Sequence, residues 1–172
     1  GHSESAFVTA KVLDWLGGTA LPGAARDGEP WCAHVSYLRP HPPYLAPAPY
    51  HDLFDPADVD EPVRHPTPGD EAAVHPFLAG ALSVVPSPVD DLDQRQLRAT
   101  YYGMITEVDA QLGRLLDGLD ERGMTDDTIV VLTSDHGEQL GDHWLIEKLG
   151  FFDQSYRIPL IIRWPGMSGR PG

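Results

Sequence analysis

Residues Thr128 to Trp164 read TIVVLTSDHGEQLGDHWLIEKLGFFDQSYRIPLIIRW, and the expected architecture follows from this run. Ile129-Val130-Val131-Leu132 is β-branched and apolar without polar alternation, as expected of a strand buried on both faces. It gives way abruptly to Thr133-Ser134-Asp135-His136-Gly137. Ligands of open α/β sheets sit beyond the carboxyl ends of the strands, which is where Asp135 and His136 would stand. A carboxylate beside an imidazole suits a divalent metal, and Gly137 permits a sharp turn beneath them. The same residues also suit a plain polar turn after a core strand. Gly141-Asp142-His143 and Lys148 add further polar groups, and Arg157-Ile158-Pro159-Leu160-Ile161-Ile162 reads as a return to a buried strand.

Taken whole, SDHGEQLGDHWLIEKLGFFDQSYRIPLIIRWPG resembles the later half of the catalytic domain in the sulfatase branch of the alkaline phosphatase superfamily. The nearest form is that of phosphonate monoester hydrolases and arylsulfatases. The resemblance implies an alkaline-phosphatase-like α/β/α sandwich with a largely parallel or mixed sheet, present here as a partial domain over residues 1–172. It implies that Asp135 and His136 are metal ligands. It also implies that Lys148, thirteen residues after Asp135, contacts the sulfuryl or phosphoryl oxygens.

The bulk numbers fit one domain or part of a larger one. The chain has 172 residues, 41% of them apolar, enough for a core. Its formal net charge is −14, with 12 Lys and Arg against 26 Asp and Glu, and it has no basic cluster to neutralise phosphates, so a nucleic-acid partner is not expected. No apolar stretch reaches membrane-span length, and no signal pattern opens the sequence. The single cysteine, Cys32, excludes an internal disulfide framework and leans toward a reducing, cytoplasmic compartment.

Before the decisive run, Ala6, Val8, Val12, Leu13 and Leu16 recur at helical spacing, with Ser5 as the expected cap and Gly17-Gly18 as the stop; Gly1-His2-Ser3 is set aside. Thr19 to Pro30 reads as a turn-rich connector. Trp31 to Leu38 reads as a second buried strand, running into Arg39-Pro40-His41-Pro42-Pro43. Prolines on both sides hold the His41 imidazole on a stiff extended segment. A proline-rich loop with an incidental histidine fits these residues too. Yet P-H-x-P after a strand is a feature of the resembled family, in which that histidine contacts the ester oxygen. His34 reads as a core histidine, and His51, His65 and His75 as surface residues. Residues 45–89 read as a long loop region forming a pocket rim. From Asp90 or Asp91 to Arg122-Gly123 the pattern Leu97, Tyr101, Met104, Ile105, Val108, Leu112, Leu115, Leu116 and Leu119 predicts a helix whose apolar stripe faces the core.

Family members also carry an earlier pair of acidic ligands and a C-x-P-x-R motif whose cysteine becomes formylglycine. Neither occurs here, so the resemblance places the nucleophile outside this chain, and Cys32 is expected to be a buried, inert thiol. The implied chemistry is hydrolysis of a small sulfate or phosphonate/phosphate ester with one divalent metal ion, Mn²⁺ or Zn²⁺ fitting the donors better than Ca²⁺. His143 is a further candidate, either protonating the leaving group or orienting a neighbouring loop. The expected partners are the substrate and either the remainder of the catalytic domain or a second copy. A non-catalytic module derived from such an enzyme and a two-metal phosphodiesterase or mutase are the alternative readings.

Overall fold

The computed structural model describes residues 3–18 and 29–166; most of the connector expected at Thr19 to Pro30 lies outside them. Helix α1 spans Glu4–Leu16. Its cap is Ser3 rather than Ser5: the Ser3 hydroxyl accepts from the Ala6 amide and also bonds Glu107, so it both starts the helix and ties it to the chain's long helix. Ser5 is buried instead.

Trp31 to Leu38 is not a strand. It has no ladder hydrogen bonds, because no strand of the described residues pairs with it. Its contacts are side-chain ones to α1: Trp31 packs edge-on against Trp15 at 5.6 Å, and the Tyr37 and Thr9 hydroxyls are 2.9 Å apart. Cys32 and His34, expected in a core, are both exposed.

The proline-rich region is more regular than its composition suggests. Helices α2 (Pro68–Val74) and α3 (Pro76–Val84) each begin on a proline preceded by a side-chain cap. Thr67 Oγ1 accepts from the Asp70 amide at 3.1 Å, and His75 Nδ1 accepts from that of Phe77 at 3.1 Å. Proline suits the first helical position, where its missing N–H has no partner to lose.

Helix α4 spans Asp91–Asp120, capped by Asp90, as the periodicity predicts. Of the predicted stripe only Met104 and Leu119 are fully buried, and polar residues share the buried face with them. Gln94, Arg98, Met104, Glu107 and Gln111 are buried, whereas Ile105 is exposed and most of the leucines only half-covered. The helix packs chiefly against α1 and short 3-10 turns at Tyr50–Asp52 and Pro56–Asp58.

Strands β1 (Val130–Thr133) and β2 (Leu160–Arg163) pair antiparallel, Thr133 opposite Leu160 and Val130 opposite Arg163. They flank a short helix, α5 (Asp153–Tyr156). The two strands are the only sheet among the described residues. Neither is buried on both faces: Val131, Leu160, Ile161 and Ile162 are each more than half exposed. One face of β1 is partly covered, at Val130 and Leu132, whereas β2 is exposed throughout, so much of a run that reads as core lies open.

Candidate functional site

The site is built where β1 runs out. Ser134 Oγ donates to the His136 carbonyl at 2.7 Å, tightening the turn, and the amides of Gly137 and Glu138 donate to Ser155 and Gln154 carbonyls at 2.8 and 3.0 Å. A Cβ at Gly137 would strike the Gln154 carbonyl, so only glycine permits this approach. His136 Nδ1 lies 2.8 Å from the Gly137 carbonyl. A carbonyl only accepts, so Nδ1 carries the proton and Nε2 presents its lone pair outward.

His41 is arranged in the same way from a different part of the chain. Its Nδ1 faces the Pro42 carbonyl at 3.0 Å, leaving the Nε2 lone pair free. Between the two lone pairs sits Lys148, its Nζ 3.3 Å from His41 Nε2 and 3.2 Å from His136 Nε2. The two imidazole rings stand edge to face with centroids 6.1 Å apart. Among the described residues no carboxylate comes within ion-pair distance of Lys148. Its amino group therefore has two imidazole nitrogens as neighbours and no carboxylate among the described residues to neutralise it.

Asp135 points to solvent beside this trio, its side chain 88% exposed and its Oδ2 3.7 Å from His136 Nε2. What desolvation it suffers pulls its pKa up, but His136, the amides of Asp135 and His136, and the Lys148 charge outweigh that and hold it below the usual carboxylate range.

The loop that delivers Lys148 is under backbone strain. Leu140, His143, Trp144, Glu147 and Phe151 all have φ between 50° and 62°, and they are the only non-glycine residues of the described chain in the left-handed region. Buried polar contacts hold them there. Arg98 closes on Asp142 and donates through Nε to the Leu140 carbonyl at 2.8 Å, while Gln94 donates to the same carbonyl at 2.6 Å. Asp142 in turn accepts from the Val63 amide at 2.9 Å and from Gln154 at 2.7 Å.

His143 faces a different set of neighbours. Its Nδ1 is 3.0 Å from Oε1 of the buried Glu71, and its ring stacks on Phe152 at 3.6 Å. The other oxygen of Glu71 accepts from the His65 amide at 2.9 Å. No hydrogen bond joins His143 to His41, His136 or Lys148 among the described residues. Of the two roles entertained for it, these contacts suit the one that orients a loop.

Glu138 and Tyr44 carry no signal in the sequence, and Tyr101 reads there only as one residue of the α4 stripe. Burial pushes the Glu138 carboxyl above the usual range, against the pull of the Tyr44 hydroxyl and the amides of Glu147, Leu140 and Gln139. Tyr44 Oη is buried facing Glu138 without closing a full hydrogen bond; its own burial, then the Glu138 charge, raise its pKa far above the ordinary phenol value. Tyr101, edge-on to Tyr44 at 6.3 Å, is raised for the same two reasons.

Only two donors suit a metal here. No group of three or more His, Cys, Asp or Glu gathers among the described residues. Asp135 Oδ2 and His136 Nε2 nevertheless point to one side, and the Nδ1–H bonded to a backbone carbonyl is what a metal-bound imidazole requires. The donors fit half of a coordination shell.

The Sulfatase family model matches residues 2–170, and the chain belongs to that family. It is 42% identical over 182 residues to the multifunctional alkaline phosphatase superfamily protein PehA of Trinickia caryophylli, covering 99% of this chain and 34% of that protein. It is 34% identical over 140 residues to a choline-sulfatase of Rhizobium meliloti, covering 81% of this chain and 27% of the relative. The crystal structure of the phosphonate monoester hydrolase of Agrobacterium radiobacter superposes with a TM-score of 0.85 at 43% identity, covering 95% of this chain and 33% of that one. The architecture is thus a partial α/β fold of the alkaline-phosphatase-like sulfatases. The chain spans about a third of the length of these relatives.

Proposed function

We propose that this chain is the later part of the catalytic domain of a metal-dependent hydrolase acting on small sulfate or phosphonate/phosphate esters. One observation carries the reading: Lys148 Nζ lies between the Nε2 atoms of His41 and His136, three groups brought from separate segments to one point. A tetrahedral anionic ester needs cationic contacts, and in a chain of net charge −14 they must be local. Lys148 donates to the nonbridging oxygens of the transferred group as a point charge. His41 stands ready before substrate arrives, which limits the entropy lost on binding. Once protonated at Nε2, it hydrogen-bonds the leaving oxygen.

Asp135 and His136 are the residues that would hold the metal, and an ion on His136 Nε2 would take the lone pair that Lys148 faces in this structure, leaving Lys148 to His41 and the ester. A divalent ion there supplies Lewis acidity, lowering the nucleophile's pKa and offsetting charge on the ester. One oxygen and one nitrogen donor favour Mn²⁺ or Zn²⁺ over Ca²⁺, which prefers all-oxygen cages. Remaining ligands and a formylglycine nucleophile belong, by the family resemblance, to another part of the protein. The open apolar strands β1 and β2 are consistent with that part, or with a second copy, lying over them.

The test is turnover by the full-length protein of an aryl sulfate, an aryl phosphonate monoester and an aryl phosphate. At least one should be hydrolysed, and Lys148→Ala should lower its kcat/KM by about 10²-fold or more while keeping the metal. No turnover of any ester would overturn the function, and an unchanged kcat/KM would overturn the role of Lys148.

A further inference from the structure

Among the described residues Lys148 has no carboxylate to hold it, and it lies on a loop without regular structure, so something else must set its position. The carbonyls on either side of it show what does. Glu147 O accepts from the backbone amide of Gln139 at 2.9 Å, and Leu149 O accepts from the side-chain Nε2 of the same residue at 3.1 Å. Gln139 thus grips the peptide that leads into Lys148 and the Leu149–Gly150 peptide one residue beyond it. It lies three residues beyond His136, on the turn that presents that imidazole, and is only 1% exposed.

The amide's orientation is pinned. Its second Nε2 hydrogen is taken by Ser155 Oγ at 2.9 Å, and turning the amide over would set Oε1 against the Leu149 carbonyl, acceptor to acceptor. As oriented, Oε1 is buried with no partner. A buried acceptor left unmade is a standing cost to the fold. Methionine would fill the same space without that cost but could not donate to Leu149. The glutamine keeps an orphaned oxygen in order to keep the donor.

We infer that Gln139 is a positioning residue that sets Lys148 against His41 and His136, joining the metal-ligand turn and the anion-contacting lysine into one rigid unit. This rests on the role given to Lys148 above. It is a claim about geometry, so it has a test that needs no turnover. Misplacement of a reacting group by about 1 Å costs roughly 10²-fold in rate.

In the full-length protein, Gln139→Met, which cannot donate, and Gln139→Glu, which turns acceptor against acceptor, are each made alone and in the Lys148→Ala background. Each is expected to lower kcat/KM roughly 10- to 100-fold alone and to change it less than about twofold when Lys148 is already alanine. Crystal structures of the variants should show Nζ drawn away from both imidazoles, with the His136 turn unmoved. Equal losses in both backgrounds mean that Gln139 serves the fold generally, and would overturn the inference. An unmoved Nζ in whichever variant folds would overturn it too. The function proposed above fails separately, if the unaltered protein hydrolyses none of the esters, and the position of Nζ then still decides the matter for Gln139.

Discussion

Arg98 and Asp142, 44 residues apart in sequence, form an ion pair that is sealed inside the protein, their side chains 9% and 11% exposed. The pair joins α4 to the strained loop, and the Leu140 and Asp60 carbonyls, the Val63 amide and Gln154 make further hydrogen bonds to it. Removing one partner strands the other charge. Arg98→Met should therefore destabilise the protein by about 3–5 kcal/mol in denaturant melts. Arg98→Met with Asp142→Leu should cost less than Arg98→Met alone, since no unpaired charge stays buried.

Metal content separates the two kinds of residue at the site. In the full-length protein, Asp135→Ala and His136→Ala should bring the bound divalent metal to background by elemental analysis, whereas Lys148→Ala should retain it. Retained metal in Asp135→Ala would remove that carboxylate from the ligand set.

His143 gives a clean distinction between acid catalysis and loop support. If it clasps Glu71 and Phe152, His143→Asn should lower the melting temperature and leave the alkaline limb of the kcat pH profile where it was. Loss of that limb would make it the proton donor instead.

Tyr44 and Tyr101 set a stability limit in alkali. Their folded-state pKa values lie above the ordinary phenol value of about 10, so below that pH both folded and unfolded chains hold neutral phenols and stability is unaffected. As pH rises past the unfolded value, only the unfolded state ionises, and stability is lost. Part of the phenolate absorbance should then appear together with unfolding rather than before it. Tyr44→Phe and Tyr101→Phe should each shrink that coincident part.

The chain expressed alone should self-associate through β1 and β2, whose edges and apolar faces are open. Sedimentation should find oligomers or aggregate, and Val131→Lys with Ile161→Lys should shift the population toward monomer. A monodisperse monomer of the unaltered chain would argue against any covering partner for these strands.

How much of this was legible beforehand differs by element. The α4 helix and the β1 turn could be read because their signals are local: an acidic cap before a periodic run, and apolar residues ending at a cluster of polar ones. The meeting of Lys148 with His41 followed only from family likeness, since 107 residues separate them and no spacing rule spans that distance. The Glu71–His143 contact crosses 72 residues from within a proline-rich stretch and leaves no trace in either neighbourhood. Pro68 and Pro76 misled because proline stops a helix from within yet starts one at its first position. The apolar strands misled differently: their composition says that they are to be covered, not that this chain does the covering.

Thr133 donates through Oγ1 to the carbonyl of Pro159, 26 residues further on, at 2.9 Å, just where the strand register sets Thr133 against Leu160. The excursion between them leaves the sheet and rejoins it at a single clip. Within it lie the Asp135–His136 turn, Gln139, the strained residues and Lys148; outside it lies His41. A segment closed at its base, yet tied to α4 by Gln94 and Arg98, can be exchanged between homologues where those two partners are kept. A chimera carrying the excursion of a relative would inherit that relative's lysine and turn as one cassette, yet would still meet the host's own histidine.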